Sequence, residues 1–174
     1  MEIKQGDLII RNAGKADAEQ LAAWWNDGRV MAHAGFPKGL GITPEEIAVS
    51  LAADDDNVRR RLILQKAGRR IGEMSYRMLE DGDAEIGIKI CEEDCREKGI
   101  GRVALSMLIR ALFDRGRSRI VLDTNLQNKR AQHVYVKLGF EKTGVRYDAW
   151  QDQLGNWQSA VDYALTEDRF IEFK

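Results

Sequence analysis

Apolar positions along the chain follow two periods, alternation with polar residues in some stretches and recurrence every three to four residues in others, and these divide it into strands and helices. Leu8-Ile9-Ile10, bounded by Asp7 and Arg11, predicts a first strand. Asp17 opens a helix through Leu21, Trp24 and Trp25 that ends near Asn26-Asp27-Gly28. Thr43-Pro44-Glu45-Glu46 is a strong helix start, with a cap residue, a proline in the first turn and acids at the positive end of the dipole; this helix should reach about Ala53. Three strands follow, Val58 to Lys66, Arg69 to Leu79 and Ala84 to Ile90, with Glu80-Asp81-Gly82-Asp83 as a hairpin turn between the last two. Gly99 to Asp114 is a helix apolar on most sides, as expected of one packed against a sheet. Arg119 to Thr124 then predicts a strand, Asn128 to Leu138 a helix closed by Gly139, and Phe140 to Asp148 and Trp157 to Leu165 two more strands. Both prolines, Pro37 and Pro44, fall in Ala34 to Pro44 beside Gly35, Gly39 and Gly41, the one long irregular loop. The order β-α-α-β-β-β-α-β-α-β-β predicts a mixed α/β sheet in a single domain over residues 1–174.

Composition narrows the function classes. The chain carries 27 Lys+Arg against 28 Asp+Glu, a formal net charge of −1, which gives no global reason to expect nucleic acid or an anionic membrane as a partner. No run approaches the roughly eighteen apolar residues a spanning helix needs, and the N-terminus has no signal-type stretch. Cys91 and Cys95 are too few for a disulfide framework and lack the further Cys or His of a zinc site. The expectation is a cytoplasmic protein without a metal. The charge is unevenly spread, however: from Arg96 to Arg130 there are nine basic residues against three acidic.

That basic stretch begins with Arg96-Glu97-Lys98-Gly99-Ile100-Gly101-Arg102, between a strand and an apolar helix. The first amides of a helix have no internal partners and carry partial positive charge, and glycines let a phosphate approach the backbone. The segment reads equally as an anion site or as a glycine-containing turn with solvated charges. It is neither a P-loop nor a dinucleotide fingerprint, because the lysine-terminated motif and the third glycine are missing.

Arg96-x-x-Gly99-x-Gly101 after the strand Ala84–Ile90 resembles the pyrophosphate-binding motif of the GNAT superfamily of acetyl-coenzyme A-dependent N-acetyltransferases. Asn128-x-x-Ala131-x-x-x-Tyr135-x-x-x-Gly139-Phe140 resembles a second segment of that superfamily, in the right order and on the right elements. The front end, with Trp24-Trp25-Asn26-Asp27 and the long loop, is similar to the branch that includes ribosomal-protein N-terminal acetyltransferases of RimJ/RimL type. The resemblance implies a mostly antiparallel sheet of about seven strands flanked by about four helices, splayed at its central parallel pair.

It also implies roles. Gly99, Ile100, Gly101 and Arg102 would hold the pyrophosphate of acetyl-CoA, with Arg96 and Lys98 assisting, while Ile88 and Ile90 would run beside the pantetheine arm. Asn128 would be a cofactor contact as well as a helix cap. By periodicity Tyr135 belongs to a core face with Ala131, Val134 and Leu138; by the motif it would protonate the departing thiolate. For the general base Glu85 ranks first and Glu73 second, both also readable as exposed strand positions, with Ser75, Asp148 and His133 behind. His33, Phe36 and one of Trp24 and Trp25 are candidates for the acceptor cleft, Arg59-Arg60-Arg61 reads as a solvated strand entrance, and Trp150 to Trp157 suits an acceptor-side loop or a homodimer contact.

The expected activity is acetyl transfer from acetyl-CoA to a primary amine by direct attack in a ternary complex. The acceptor is either a protein N-terminus or a small cationic amine held by Asp27, Glu73, Asp148 and Asp152. The alternative is a coenzyme A-binding regulatory or structural module without turnover.

Overall fold

Eight strands form one sheet in a computed structural model that describes residues 1–174. In chain order they are β1 (Glu2–Gln5), β2 (Leu8–Asn12), β3 (Arg59–Lys66), β4 (Arg69–Met78), β5 (Ala84–Ile90), β6 (Arg119–Asn125), β7 (Glu141–Gln151) and β8 (Trp157–Thr166). Their order in the sheet is β1-β2-β3-β4-β5-β6-β8-β7, antiparallel throughout except for β5 and β6. The helices are α1 (Ala18–Trp25), α2 (Gly28–Met31), α3 (Pro44–Ala52), α4 (Ile100–Asp114) and α5 (Lys129–Lys137).

The two faces of the sheet are covered separately. On one, the apolar side of α4 (Ala104, Leu105, Leu108, Ile109, Leu112) buries itself on Ile10, Leu62, Leu64, Met74, Ile86 and Ile120, with Tyr135 and Leu138 joining from α5. On the other, Leu21 and Trp24 of α1 and Ile47 and Leu51 of α3 close over Ile63. Alternation along β3 decides this, since Ile63 points away from Leu62 and Leu64. The start of α3 has the expected capping box: Thr43 Oγ1 accepts from Glu46 N at 3.2 Å, and Glu46 Oε2 accepts from Thr43 N at 3.0 Å. No helix is long and apolar enough to cross a membrane.

Two elements exceed the expectation. The sheet has eight strands rather than about seven because Glu2–Gln5 pairs with β2, and the fifth helix is the single turn Gly28–Met31. Glu-Ile-Lys-Gln holds one apolar residue, too few for a period, and its place at the sheet edge asks for no more.

The feature that positions the site is a split in the sheet. Strands β5 and β6 pair only at Ala84↔Ile120 and Glu85↔Val121; beyond these no ladder joins them, so the strands diverge and one edge of β5 from Gly87 to Ile90 faces open space.

Candidate active site

A groove of about 1380 Å³ occupies that split and runs out over the N-termini of α4 and α5. Its lining includes Ile86 to Ile90 on one bank, Asp123 to Asn125 on the other, and Gly99 to Arg102, Asn128 and Tyr135. Of the residues the sequence nominates for catalysis or the cofactor, Glu73, Asp148 and Lys98 lie outside the lining and the others lie within it.

At the mouth, the α4 terminus is an array of free donors. The first intrahelical bond is Val103 N to Gly99 O at 3.3 Å, and no amide from Glu97 to Arg102 donates to an acceptor in the chain. Gly99 caps the helix at φ +76°, a conformation that favours glycine. Gly101 is different. Its φ is ordinary, and a Cβ there would meet only Ile88 Cδ1 and Ile90 Cγ1, both at 3.9 Å. Nothing in the protein needs glycine at 101; a side chain there would enter the groove beside Ile88 and Ile90. Arg102 Nε is buried without a partner, and its guanidinium stacks on the Phe173 ring at 4.3 Å. Arg96, by contrast, bonds Ile90 O at 3.2 Å and Cys91 O at 3.4 Å, so it ties the end of β5 to the α4 turn. Arg130 pairs with Glu97 at 2.8 Å across the same mouth.

Asn128 caps α5, its Oδ1 accepting from Ala131 N at 3.2 Å, and also lines the groove. Tyr135 is a core residue that also lines the groove. Its ring packs in the core against Phe140 and Tyr163, at centroid distances of 5.8 and 5.6 Å, and the residue still reaches the groove. Burial, reinforced by the charge of Asp123 and by Tyr163, lifts its phenol well above the ordinary tyrosine value. The phenol is therefore a hydrogen-bond donor at every physiological pH.

The acids fall into two groups. Glu85 lines the groove and pairs with Arg77 at 3.0 Å. Glu73 instead accepts from Trp25 Nε1 at 2.8 Å and from Lys89 Nζ at 3.3 Å, so its carboxylate anchors α1 to the sheet. Trp24 is core, bonded to Glu92 at 3.0 Å, and Phe36 lies outside the lining; of the front-end candidates only His33 is in it. Asp27, Asp148 and Asp152 do not line the groove either. Asp27 caps α2 and holds Arg29 at 2.9 Å, and Asp152 accepts from the amides of Leu154 and Asn156 in its own turn. The four acids expected to converge on a cationic acceptor thus do not converge. Cys91 is buried and its thiol is pushed up to about 12, chiefly by desolvation and further by Glu73, so it is no nucleophile. No group of three His, Cys, Asp or Glu side chains is arranged to hold a metal ion.

The family model for the acetyltransferase (GNAT) domain matches residues 7–141. The chain belongs to the GNAT acetyltransferase family. No significant match is found among curated proteins. Solved structures agree in fold: a probable acetyltransferase superposes with TM-score 0.85 at 23% identity, covering 98% of this chain and 99% of that one. The ribosomal-protein-S5-alanine acetyltransferase of Vibrio fischeri gives 0.82 at 20% identity, covering 98% and 99%. The spermidine N-acetyltransferase of Vibrio cholerae, solved with CoA and spermine, gives 0.82 at 20% identity, covering 95% and 98%.

The groove also draws on more distant parts of the GNAT domain. Trp150 of β7 lines the groove and lies against Gly35, where a Cβ would be 2.4 Å from Trp150 Cζ3. Gln153 fastens the β7–β8 turn to the front loop, donating from N to Gly35 O at 2.8 Å and from Nε2 to Gly39 O at 2.9 Å, and accepting from Lys38 N at 2.8 Å. Trp150 thus lines the groove, and the turn that follows it is fastened to the front loop. Arg59, read from sequence as solvated, lines the groove, as do Ser75, Lys89 and His133. Strand register and a loop contact over more than a hundred residues bring these into the groove.

Proposed function

We propose that this GNAT domain transfers an acetyl group from acetyl-CoA to a primary amine by direct attack, with both substrates bound together. The observation that carries the reading is that the unpaired amides of the α4 terminus, the unzipped edge of β5 and Tyr135 all face one groove. Acetyl-CoA supplies an activated acyl carbon. The amides of Gly99, Ile100, Gly101 and Arg102, with the Arg102 guanidinium, hold its pyrophosphate, and Arg96 keeps that turn in place. Lys98 acts at most as a diffuse charge. Asn128 and the β5 stretch from Gly87 to Ile90 flank the pantetheine, as a strand edge binds an extended ligand. A free amide of that edge stabilises charge developing on the acyl oxygen.

Tyr135 donates a hydrogen bond to the departing sulfur, which needs a proton donor because a thiolate leaves poorly when unassisted. Glu85, directly or through water, receives the proton of the attacking amine; Glu73 keeps α1 on the sheet. The carbon–nitrogen bond forms first, giving a tetrahedral adduct whose collapse breaks the carbon–sulfur bond. The thiolate takes a proton through Tyr135, which is reprotonated from water, and Glu85 returns the amine's proton to water. The net change moves one proton from the amine to the thiol. Two free, buried cysteines fit the reducing cytoplasm. Thiol release from acetyl-CoA against a panel of amines tests the reading. Amine-dependent release with stoichiometric N-acetyl product supports it, whereas tight coenzyme A binding without release on any amine supports a binding module instead.

A further inference from the structure

The acceptor side of the groove is the sheet face opposite α4, and its charges can be followed strand by strand. Ladder register sets Arg59 of β3 opposite Arg77 of β4, and Arg77 opposite Glu85 of β5, in one row across the sheet. All three line the groove. Side chains directly opposite in an antiparallel pair are near neighbours, and like charges there are destabilising. Arg77 is offset by Glu85 at 3.0 Å. Arg59 is not offset comparably: its nearest carboxylate is Asp54 at 3.9 Å, and both Asp54 oxygens are already taken by Arg61 at 2.7 and 3.0 Å. Arg59 is therefore the least compensated cation on this side, half exposed towards the groove.

The acids of the lining give the complementary result. Glu85, Glu97 and Asp123 are each held by an arginine, at 3.0, 2.8 and 2.8 Å. A polycation entering the groove would meet no free carboxylate, and it would meet Arg59 and Arg77. An anion would relieve their repulsion.

We infer that the acceptor is a primary amine that carries an anionic group, a carboxylate or phosphate, which seats on Arg59 and Arg77. This rests on the amine acetyltransferase reading and adds the acceptor's class. Glu85 is the last residue of β5 paired with β6, so the row lies at the closed end of the split. From there to Gly87, where the edge becomes free, is two residues, about 7 Å of strand. The anion and the amine are thus about 7 Å apart. The side-chain carboxylate of an acidic amino acid comes close to this span, and so does an acidic side chain beside a peptide's N-terminus.

The test is thiol release by the intact protein at saturating acetyl-CoA, with free glutamate, a C-terminally amidated Ala-Asp peptide, its amidated Ala-Asn counterpart and spermidine as acceptors. At least one of the two acidic acceptors should exceed Ala-Asn in kcat/KM by tenfold or more, with spermidine the poorest; which acidic one is used identifies the source. Arg59→Gln should remove that preference by raising the acceptor's KM at unchanged acetyl-CoA KM, and Arg59→Lys should restore part of it. Use of both acidic acceptors no better than Ala-Asn, a preference for spermidine, or an unchanged preference in Arg59→Gln would overturn the inference while leaving acyl transfer standing. No release with any amine would overturn both.

Discussion

A methyl group at position 101 should separate folding from cofactor binding. Gly101 is the second residue of α4 and has ordinary helical geometry, and an added Cβ would be in normal van der Waals contact with Ile88 and Ile90 at 3.9 Å. Replacing a helical glycine by alanine is worth about 0.5–1 kcal/mol. In a domain of 174 residues this predicts a melting temperature raised by about 1–4 °C. The same methyl enters the groove next to the unpaired amides and should push a phosphate out of hydrogen-bond range. Losing one charge-assisted bond costs about 1.5–3 kcal/mol, or roughly a tenfold to hundredfold rise in the Kd for coenzyme A. Gly101→Glu sharpens the contrast: an acid in the first turn complements the helix dipole, so the fold is kept, but its bulk and charge should abolish binding. Calorimetry with coenzyme A and a thermal melt read the two effects separately. Unchanged affinity in both variants would refute the placement of the pyrophosphate, and a lowered melting temperature in Gly101→Ala would refute the claim that the fold tolerates a side chain there.

Three further outcomes are expected. Tyr135→Phe should lower kcat about a hundredfold, within the range for general acids, with acetyl-CoA affinity within twofold; an unchanged kcat would leave Tyr135 a core residue only. Gly35→Ala should raise the amine KM several-fold at unchanged coenzyme A affinity, because at φ +98° its Cβ would run into Trp150 at 2.4 Å; equal amine KM values would detach the front loop from the acceptor side of the groove. Burial alone would raise the carboxyl of Asp17, but Arg11, the Gly14 amide and Arg70 together bring it below its ordinary value. A depressed folded-state value contributes stability above the unfolded value of about 3.9, and that contribution is lost as pH falls through the folded value. Urea midpoints should therefore drop between wild type and Asp17→Asn at pH 7 and converge in strong acid; a gap constant with pH would contradict this.

Much of the fold was readable in the sequence where the cause was local. The capping box at Thr43, the apolar faces of α4 and the alternation of β5 each announce themselves within a few residues. Local signals failed for β1, which has one apolar residue, and for α2, one turn inside a glycine-rich stretch. The cofactor end was legible for the same reason as the helices, since consecutive glycines and a helix start lie together at 99–102. The acceptor end was not. Trp25 meets Glu73 from 48 positions away, and Gln153 clasps Gly39 across 114. Side-chain types alone made Glu73, Asp27 and Asp152 look available; ion pairs, caps and turn hydrogen bonds engage them. Arg59 looked solvated until the register placed it opposite Arg77.

The most direct test of the account is a mass measurement on both partners of the reaction. With acetyl-CoA and an acceptor amine, the amine should gain one acetyl group for each thiol released, and with acetyl-CoA alone the protein's mass should not change. An acetyl group carried on Cys91 or Cys95, or thiol release without N-acetyl product, would contradict direct transfer.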